Sequence, residues 1–307
     1  MTSPARVMRV MRATSPDPAS LADERIPVPE PGPGELLVEV RATAVTAGEL
    51  DWPETWPAIP CHDLSGVVAA TGPGVTGWQA GDEIYGLVGF DRPGAAAGYV
   101  LAPAADLAPK PAAVDHVQAA AVPLGALTAW QALHEHARLQ PGQHVLVHGG
   151  AGGVGGYVVQ LAKAEGLTVI ADASEKDEKL VASLGADIVV RRGDDVASRI
   201  REHFPQGVDG LADGAVLKEL VIPAVRDGGA FNSVRGFQGI PQRDIHFTAT
   251  RVTNYAQAFE KLDRLRQQVE AGEITLRVAE VYPPERAADA HRRLEAGGTR
   301  GRLVIQF

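Results

Sequence analysis

Apolar and polar positions alternate through Glu35-Leu36-Leu37-Val38-Glu39-Val40-Arg41-Ala42-Thr43, the period of a half-buried β-strand. A turn-prone entry, Arg25-Ile26-Pro27-Val28-Pro29-Glu30-Pro31-Gly32-Pro33-Gly34, leads into it. Residues 63–71, 82–88 and 98–103 read as three further strands. Gly72, Gly74, Gly77 and Gly81 punctuate the turns after the first of these. Short strands this closely spaced predict a barrel-like β unit.

From Asp115 the texture changes. Residues 117–136 are Ala/Leu-rich and read as helical, with a break over 123–125. Strands at 144–148, 168–172 and 187–190 then alternate with helices at 157–165 and 175–184. Similar pieces follow at 208–211, 217–225, 230–234 and 245–252. Alternating β and α elements with short links predict a parallel, doubly wound sheet. After Thr253 the pattern changes again. Residues 255–271 form an amphipathic helix with Phe259, Leu262, Leu265 and Val269 at helical spacing. A strand at 278–282, a helix at 284–296 and a strand at 302–307 close the chain. The flanking segments must come together around the nucleotide-type domain.

A chain of 307 residues suits two domains. No run approaches the ~20 apolar residues that span a bilayer. The start, MTSPARVMRVMRA, has basic residues with no apolar core behind them, which reads against a secretory leader. A net charge of −9 disfavours nucleic acid and anionic lipid as partners. The single cysteine, Cys61, excludes an internal disulfide and a Cys-rich zinc lobe, and fits a reducing cytoplasm.

The main chemical signal is Gly150-x-Gly152-x-x-Gly155, which follows a predicted strand and opens a predicted helix. The first glycine is expected to permit the tight turn. The second lets a pyrophosphate approach the backbone, and the third lets helix pack on sheet. The helix N-terminus then favours phosphate. Asp172 ends the next strand, where an acid binds a ribose 2′-hydroxyl and selects NAD, or caps the following helix. Ser174, Lys176 and Arg192 lie nearby and suit a 2′-phosphate. Spacing alone leaves the two dinucleotides open.

At this point the chain resembles the zinc-independent quinone oxidoreductases of the medium-chain dehydrogenase/reductase superfamily. The resemblance runs through Val28-Pro29-Glu30-Pro31-Gly32-Pro33-Gly34-Glu35, Ile59-Pro60-Cys61-His62-Asp63-Leu64-Ser65-Gly66 and Gly81-Asp82-Glu83-Ile84-Tyr85-Gly86. It continues in Ala121-Val122-Pro123-Leu124-Gly125-Ala126-Leu127-Thr128, the glycine turn, Leu184-Gly185-Ala186-Asp187 and Arg300-Gly301-Arg302-Leu303-Val304. It implies an α/β chain: a GroES-like catalytic domain split over residues 1–114 and 254–307, with a Rossmann domain over 115–253 and the active site in the cleft. Most relatives with Ser at the Ser174 position use NADPH, and Asp172, where relatives often have Thr, keeps NADH open. By the same resemblance Gly152, Gly153, Val154 and Gly155 cradle the pyrophosphate. Ser174, Lys176 and Arg192 face the 2′-phosphate, and Thr128 lies near the nicotinamide ribose. Ser233, Val234 and Arg235 end a strand on the cofactor side.

Zinc is not expected. The loop that carries the first zinc-binding cysteine of zinc-dependent relatives reads Val45-Thr46-Ala47-Gly48-Glu49 here. Cys61-His62-Asp63 echoes those relatives' Gly-His-Glu, but extended geometry turns neighbours to opposite faces. Without a metal Lewis acid the expected substrate is a small electrophile, a quinone or an α,β-unsaturated carbonyl. Thr46, Trp52 and His62 are the substrate-contact candidates. Trp52 either stacks on a flat acceptor or staples its loop to the barrel. His134 and His136 read as surface residues, and residues 90–98 as a mobile flap. Relatives commonly pair through the last Rossmann strands, here 245–252, which implies a homodimer. Two alternatives stay open: a dedicated biosynthetic enoyl reductase or reductive cyclase, and a non-catalytic NADPH-binding protein.

Overall fold

One long strand, Glu35–Val45, organises the first folding unit of this computed structural model, which describes residues 6–234, 236–252 and 258–307. Its first half pairs antiparallel with Tyr99–Pro103, from Glu35 opposite Pro103 to Glu39 opposite Tyr99. Its last residues pair antiparallel with Arg302–Gln306, from Ala42 opposite Gln306 to Val45 opposite Leu303. Asp63–Thr71 lies along its other edge, with register shifts at Leu37/Val38 and Val40/Ala42. Such bulges bend a strand, so its two halves serve two different neighbours. The sheet runs Val278–Tyr282, Arg302–Gln306, Glu35–Val45, Asp63–Thr71, Glu83–Leu87, Leu107–Pro109. Leu36, Val38, Leu64, Ile84, Val100 and Leu107 form its buried apolar core.

An antiparallel hairpin, Val7–Arg12 with Ala22–Pro27, was not expected. Arg25 to Pro27 belong to its second strand rather than to a turn. Pro27 is tolerated because it sits at the strand's last position, where a missing N–H costs least.

The second unit carries six parallel strands in the order Ile188–Arg191, Thr168–Ala173, His144–His148, Val208–Asp213, Val225–Ser233, His246–Ala249. Counted within this unit the order is 3-2-1-4-5-6, the doubly wound arrangement with its switch point between His144–His148 and Val208–Asp213. Helix Val196–His203 was not read from the sequence, although Val196, Ala197 and Ile200 give it a buried face. The stretch 217–225 is a 3₁₀ turn, Lys218–Ala224, with Pro223 inside it. The Ala/Leu-rich stretch resolves into His116–Ala120, Pro123–Trp130 and a π-helical Gln131–Ala137. Pro123 opens the second of these, a position that tolerates its missing N–H.

The first unit takes the described residues of Met1–Leu124, Thr253–Ala271 and Leu276–Phe307; the second takes Gly125–Val252 and Gly272–Thr275. The first division falls after Leu124 rather than after residue 114. Helix His116–Ala120 packs against the first unit's strands through Ala120, beside Ala42, Ala44 and Val304. The Leu124 N–H also donates to Asp63 Oδ1 at 2.6 Å. Helix Phe259–Glu270 buries Leu262, Leu265 and Val269, whereas Phe259 is exposed. The expected start of that helix at Tyr255 lies outside the described residues.

Asp63 and Arg302 form an ion pair inside the first unit, with side chains 0% and 8% exposed. They stand on the two strands that flank Glu35–Val45. Removing one partner strands a charge in a low-dielectric interior, which costs about 3–5 kcal/mol, whereas replacing both by apolar groups is close to neutral. Arg302→Met is expected to lose roughly that stability in urea unfolding, and Asp63→Leu/Arg302→Met to recover most of it. Equal loss in the single and double variants would show that the pair does not carry the effect.

Candidate functional site

The glycine turn leaves the sheet at its switch point. Strand His144–His148 ends at Gly149, whose φ of +83° only glycine adopts freely. The Gly149 carbonyl accepts the Gly152 N–H at 2.8 Å. A Cβ on Gly155 would lie 2.2 Å from that same oxygen, so glycine is required where the helix Gly155–Ala164 begins. A Cβ on Gly150 would instead press on Ala171, Val181 and Val159 at 3.3–3.4 Å. The tight turn therefore belongs to Gly149, and Gly150 serves packing. This corrects the role expected for the first glycine of the motif. A Cβ on Gly152 would meet the Gly149 oxygen at 3.2 Å, a tight but less severe contact, and the residue is half-buried.

Asp172 is fully buried at the end of Thr168–Ala173. Its Oδ1 accepts the Gly149 N–H at 2.8 Å and lies 2.8 Å from His148 Nδ1. Its Oδ2 accepts Arg192 Nε at 2.7 Å. Burial alone would raise this carboxyl, but His148, Arg192 and the Gly149 N–H outweigh it and hold it below the usual carboxylate range. Asp172 thus fixes the glycine turn and aims Arg192. It does not cap the following helix, and neither of its oxygens is turned to solvent. Arg192 stays 40% exposed in its side chain, and its N–H donates to the Ala173 carbonyl at 2.8 Å. Ser174 is half-buried and donates to Asp177 Oδ2 at 2.6 Å; Lys176 is exposed on the same turn. The structure therefore gathers Ser174, Lys176 and Arg192 near the ends of two adjacent strands.

Ser233 and Val234 stand at the carboxyl end of Val225–Ser233, with Ser233 buried. The Val234 N–H donates to the Asp213 carbonyl at 3.3 Å. Thr128 is buried in helix Pro123–Trp130. Arg235 lies outside the described residues. His134 and His136, expected on the surface, are half-buried. His134 stacks on Trp130 with ring centroids 4.0 Å apart.

The substrate-contact candidates lie in the first unit. Thr46 follows the long strand; its N–H donates to Glu49 Oε1 at 3.0 Å, and its hydroxyl accepts Arg302 Nη2 at 3.1 Å. His62 is stacked on Phe90 with centroids 4.3 Å apart, and Trp52 lies 5.3 Å from Phe90. Burial pushes the His62 imidazole down to about 4, so it is neutral at pH 7. Its Nδ1 lies 3.1 Å from the Val88 carbonyl. Trp52 is 41% exposed, and its ring centroid lies 6.3 Å from that of His62. Phe90, read from the sequence as part of a flap, is the hub of this aromatic cluster. Arg302 is the other residue that sequence reasoning missed. It occurred only inside a family motif, and no local pattern paired it with Asp63 and Thr46. That guanidinium puts a fixed positive charge on Thr46 Oγ1 and Asp63, so these residues do not fit the zinc of zinc-dependent relatives.

Comparison with known proteins agrees with this architecture. Residues 32–112 match the family model "Alcohol dehydrogenase GroES-like domain", and residues 184–305 match "Zinc-binding dehydrogenase". A curated relative from Arthroderma benhamiae, "Probable zinc-binding oxidoreductase, mitochondrial", is 30% identical over all of this chain and 99% of its own length. The chain belongs to the medium-chain dehydrogenase/reductase superfamily. This superfamily member is 30% identical to the "NADPH-dependent alkenal/one oxidoreductase, chloroplastic" of Arabidopsis thaliana, over 92% of the chain and 75% of that protein. It superposes on the quinone oxidoreductase of Coxiella burnetii with a TM-score of 0.87 at 26% identity, covering 98% and 100% of the two chains. The match to another curated relative takes in 59% of this chain and 61% of that protein, and a much longer relative is matched by 93% of this chain over 14% of its own length. The protein is an oxidoreductase of a superfamily that works with nicotinamide cofactors. Among the described residues no helix is long and apolar enough to cross a membrane.

Two outcomes follow for the turn. Gly155→Ala is expected to lose about 1–3 kcal/mol through overpacking, and Gly152→Ala less than about 1 kcal/mol; denaturant unfolding compares them, and equal losses would refute the assignment. Because folding lowers the Asp172 pKa from 3.8, its stabilisation is full above that unfolded value and is lost as pH falls through the folded one. Asp172→Asn should flatten the acid limb of the stability curve, and an unchanged limb would show that Asp172 does not contribute to it.

Proposed function

We propose that this protein is an NADPH-dependent reductase of quinones or α,β-unsaturated carbonyls that works without a metal at the acceptor. The observation that carries the choice of cofactor is the state of Asp172. Its two oxygens are occupied by Gly149, His148 and Arg192, so the acid that would select NADH is not offered to a ribose. What remains at the strand ends is cationic and hydroxylic: Arg192, Lys176 and Ser174. A planar guanidinium and an ammonium suit a 2′-phosphate. The name of the Arabidopsis relative, which carries both NADPH and an alkenal or enone, supports the same reading.

The glycine turn at the start of helix Gly155–Ala164 suits a pyrophosphate. A nicotinamide dinucleotide, when bound, supplies the hydride. Thr128, Gly153, Val154, Ser233 and Val234 complete the proposed contacts to the cofactor. On the acceptor side Trp52 offers an exposed ring face to a flat substrate. The Thr46 hydroxyl accepts from Arg302 and keeps its own proton to donate to the acceptor's carbonyl oxygen. As the β-carbon gains hydride, negative charge moves to that oxygen, where Thr46, polarised by Arg302, stabilises it. Water then protonates the α-carbon. His62, neutral and buried, shapes the wall and does not serve as the acid.

We propose further that two copies pair through the edge strand His246–Ala249, and that the protein works in a reducing cytoplasm, as its one cysteine suggests. Calorimetric titration tests the cofactor. NADPH is expected to bind at least about tenfold more tightly than NADH, and Arg192→Ala to weaken NADPH about 10- to 100-fold while leaving NADH nearly unchanged. Preference for NADH would overturn the residue assignment. Tight NADPH binding with no oxidation by a panel of quinones and enones would leave a non-catalytic NADPH-binding protein.

A further inference from the structure

Glu49, Cys61 and His291 come together inside the first unit from three separate elements. Glu49 lies in the 3₁₀ turn Glu49–Asp51, Cys61 in the segment leading to strand Asp63–Thr71, and His291 on helix Ala287–Glu295. They are 2%, 0% and 3% exposed. Cys61 Sγ lies 3.5 Å and His291 Nε2 3.7 Å from Glu49 Oε1, and one ligand atom from each residue lies within 4.8 Å of the other two. We propose that these three side chains form a binding site for one zinc-type divalent cation.

The spacing is that of a metal site. Zn–S of about 2.3 Å and Zn–N and Zn–O of about 2.0–2.2 Å, set at tetrahedral angles, put neighbouring ligand atoms about 3.3–3.6 Å apart. The hydrogen bonding of the cluster is incomplete as it stands. Glu49 Oε2 and His291 Nε2 are buried with no hydrogen-bond partner among the described residues. Leaving such atoms unpaired is costly, and native interiors rarely do so. A dication beside Glu49 Oε1 would take the His291 Nε2 lone pair and neutralise the carboxylate to which Oε2 belongs. Thiolate, carboxylate and neutral imidazole bring two negative charges, so the loaded site is electrically neutral, as a dry interior requires. Thiolate and imidazole together select zinc over the hard cations magnesium and calcium.

The site is separate from the position that zinc-dependent relatives use. It includes neither Thr46 nor His62, and its cation would tie a turn, a loop and a helix together rather than polarise a carbonyl. Thr46 leans on it through the bond from its N–H to Glu49 Oε1. One cysteine is too few for a Cys-rich lobe. It does not exclude a mixed-ligand site assembled from distant residues.

Elemental analysis of the full chain, dialysed against zinc and then against metal-free buffer, tests this independently of any reductase activity. The expected result is about one zinc per chain. Cobalt in its place should give a thiolate-to-cobalt charge-transfer band that Cys61→Ser abolishes. Glu49→Gln and His291→Gln should lower occupancy at least about tenfold, while His62→Gln leaves it unchanged. A wild-type chain holding less than about a tenth of an equivalent would overturn the proposal, whether or not the variants fold. So would a metal that His62→Gln removes and Cys61→Ser retains.

Discussion

The first unit is joined by a buried ion pair whose partners lie 239 residues apart in the chain. Asp63 and Arg302 stand on the two strands that flank Glu35–Val45, one from the N-terminal part and one from the C-terminal end. Apolar packing alone does not specify which late strand joins the early ones, since Leu303, Val304 and Ile305 would pack against many apolar faces. A charge that must be neutralised in a dry interior is far more selective. The pair also reaches outward: Arg302 holds the Thr46 hydroxyl, and Asp63 receives the Leu124 N–H at the end of the unit. A single guanidinium thus closes the split domain and orients a side chain proposed to touch substrate.

The second unit uses the same device at Asp172. One carboxylate receives a backbone N–H from the glycine turn and a guanidinium from the neighbouring strand. The turn geometry and the position of Arg192 are therefore one structural fact. A substitution at Asp172 would disturb both, so turn stability and the placement of Arg192 are coupled by construction.

Periodicity made most of the architecture legible. Asp63–Thr71, His144–His148 and Val278–Tyr282 were bounded to the residue, because each has an apolar run with clear turn chemistry at its ends. The hairpin Val7–Arg12 with Ala22–Pro27 escaped because its second strand, Ala-Asp-Glu-Arg-Ile-Pro, is polar and largely exposed, and pairs by backbone rather than burial. The glycine motif was legible as a site, but the duties of its glycines were not. Nothing local shows that Gly149 carries the positive φ while Gly150 packs on Ala171 and Val181. His291 sits in Ala-Asp-Ala-His-Arg-Arg, which reads as an ordinary amphipathic helix. Its partners Glu49 and Cys61 come from the other end of the chain, and only the fold brings them together.

A sequence lists its acids, but their roles depend on how many lone pairs the fold leaves to them. Asp172 stands where an acid selects NADH, yet both its oxygens are spent on protein donors. Asp213, equally buried, accepts the Leu217 and Lys218 N–H groups at 3.1 and 2.8 Å and is likewise committed to structure. Asp63 is committed to Leu124 and Arg302. Glu49 is the contrast: one oxygen takes the Thr46 N–H and faces Cys61 and His291, and the other is buried without a partner. An ionised carboxylate in that state is tolerable only if something positive completes it. Arg302, held by Asp63 and Thr46, offsets this only in part, and burial still pushes the Glu49 carboxyl up to about 8, so without a cation it holds a proton. The fold therefore commits Asp63, Asp172 and Asp213 to protein donors and leaves Glu49 with a buried oxygen that lacks one.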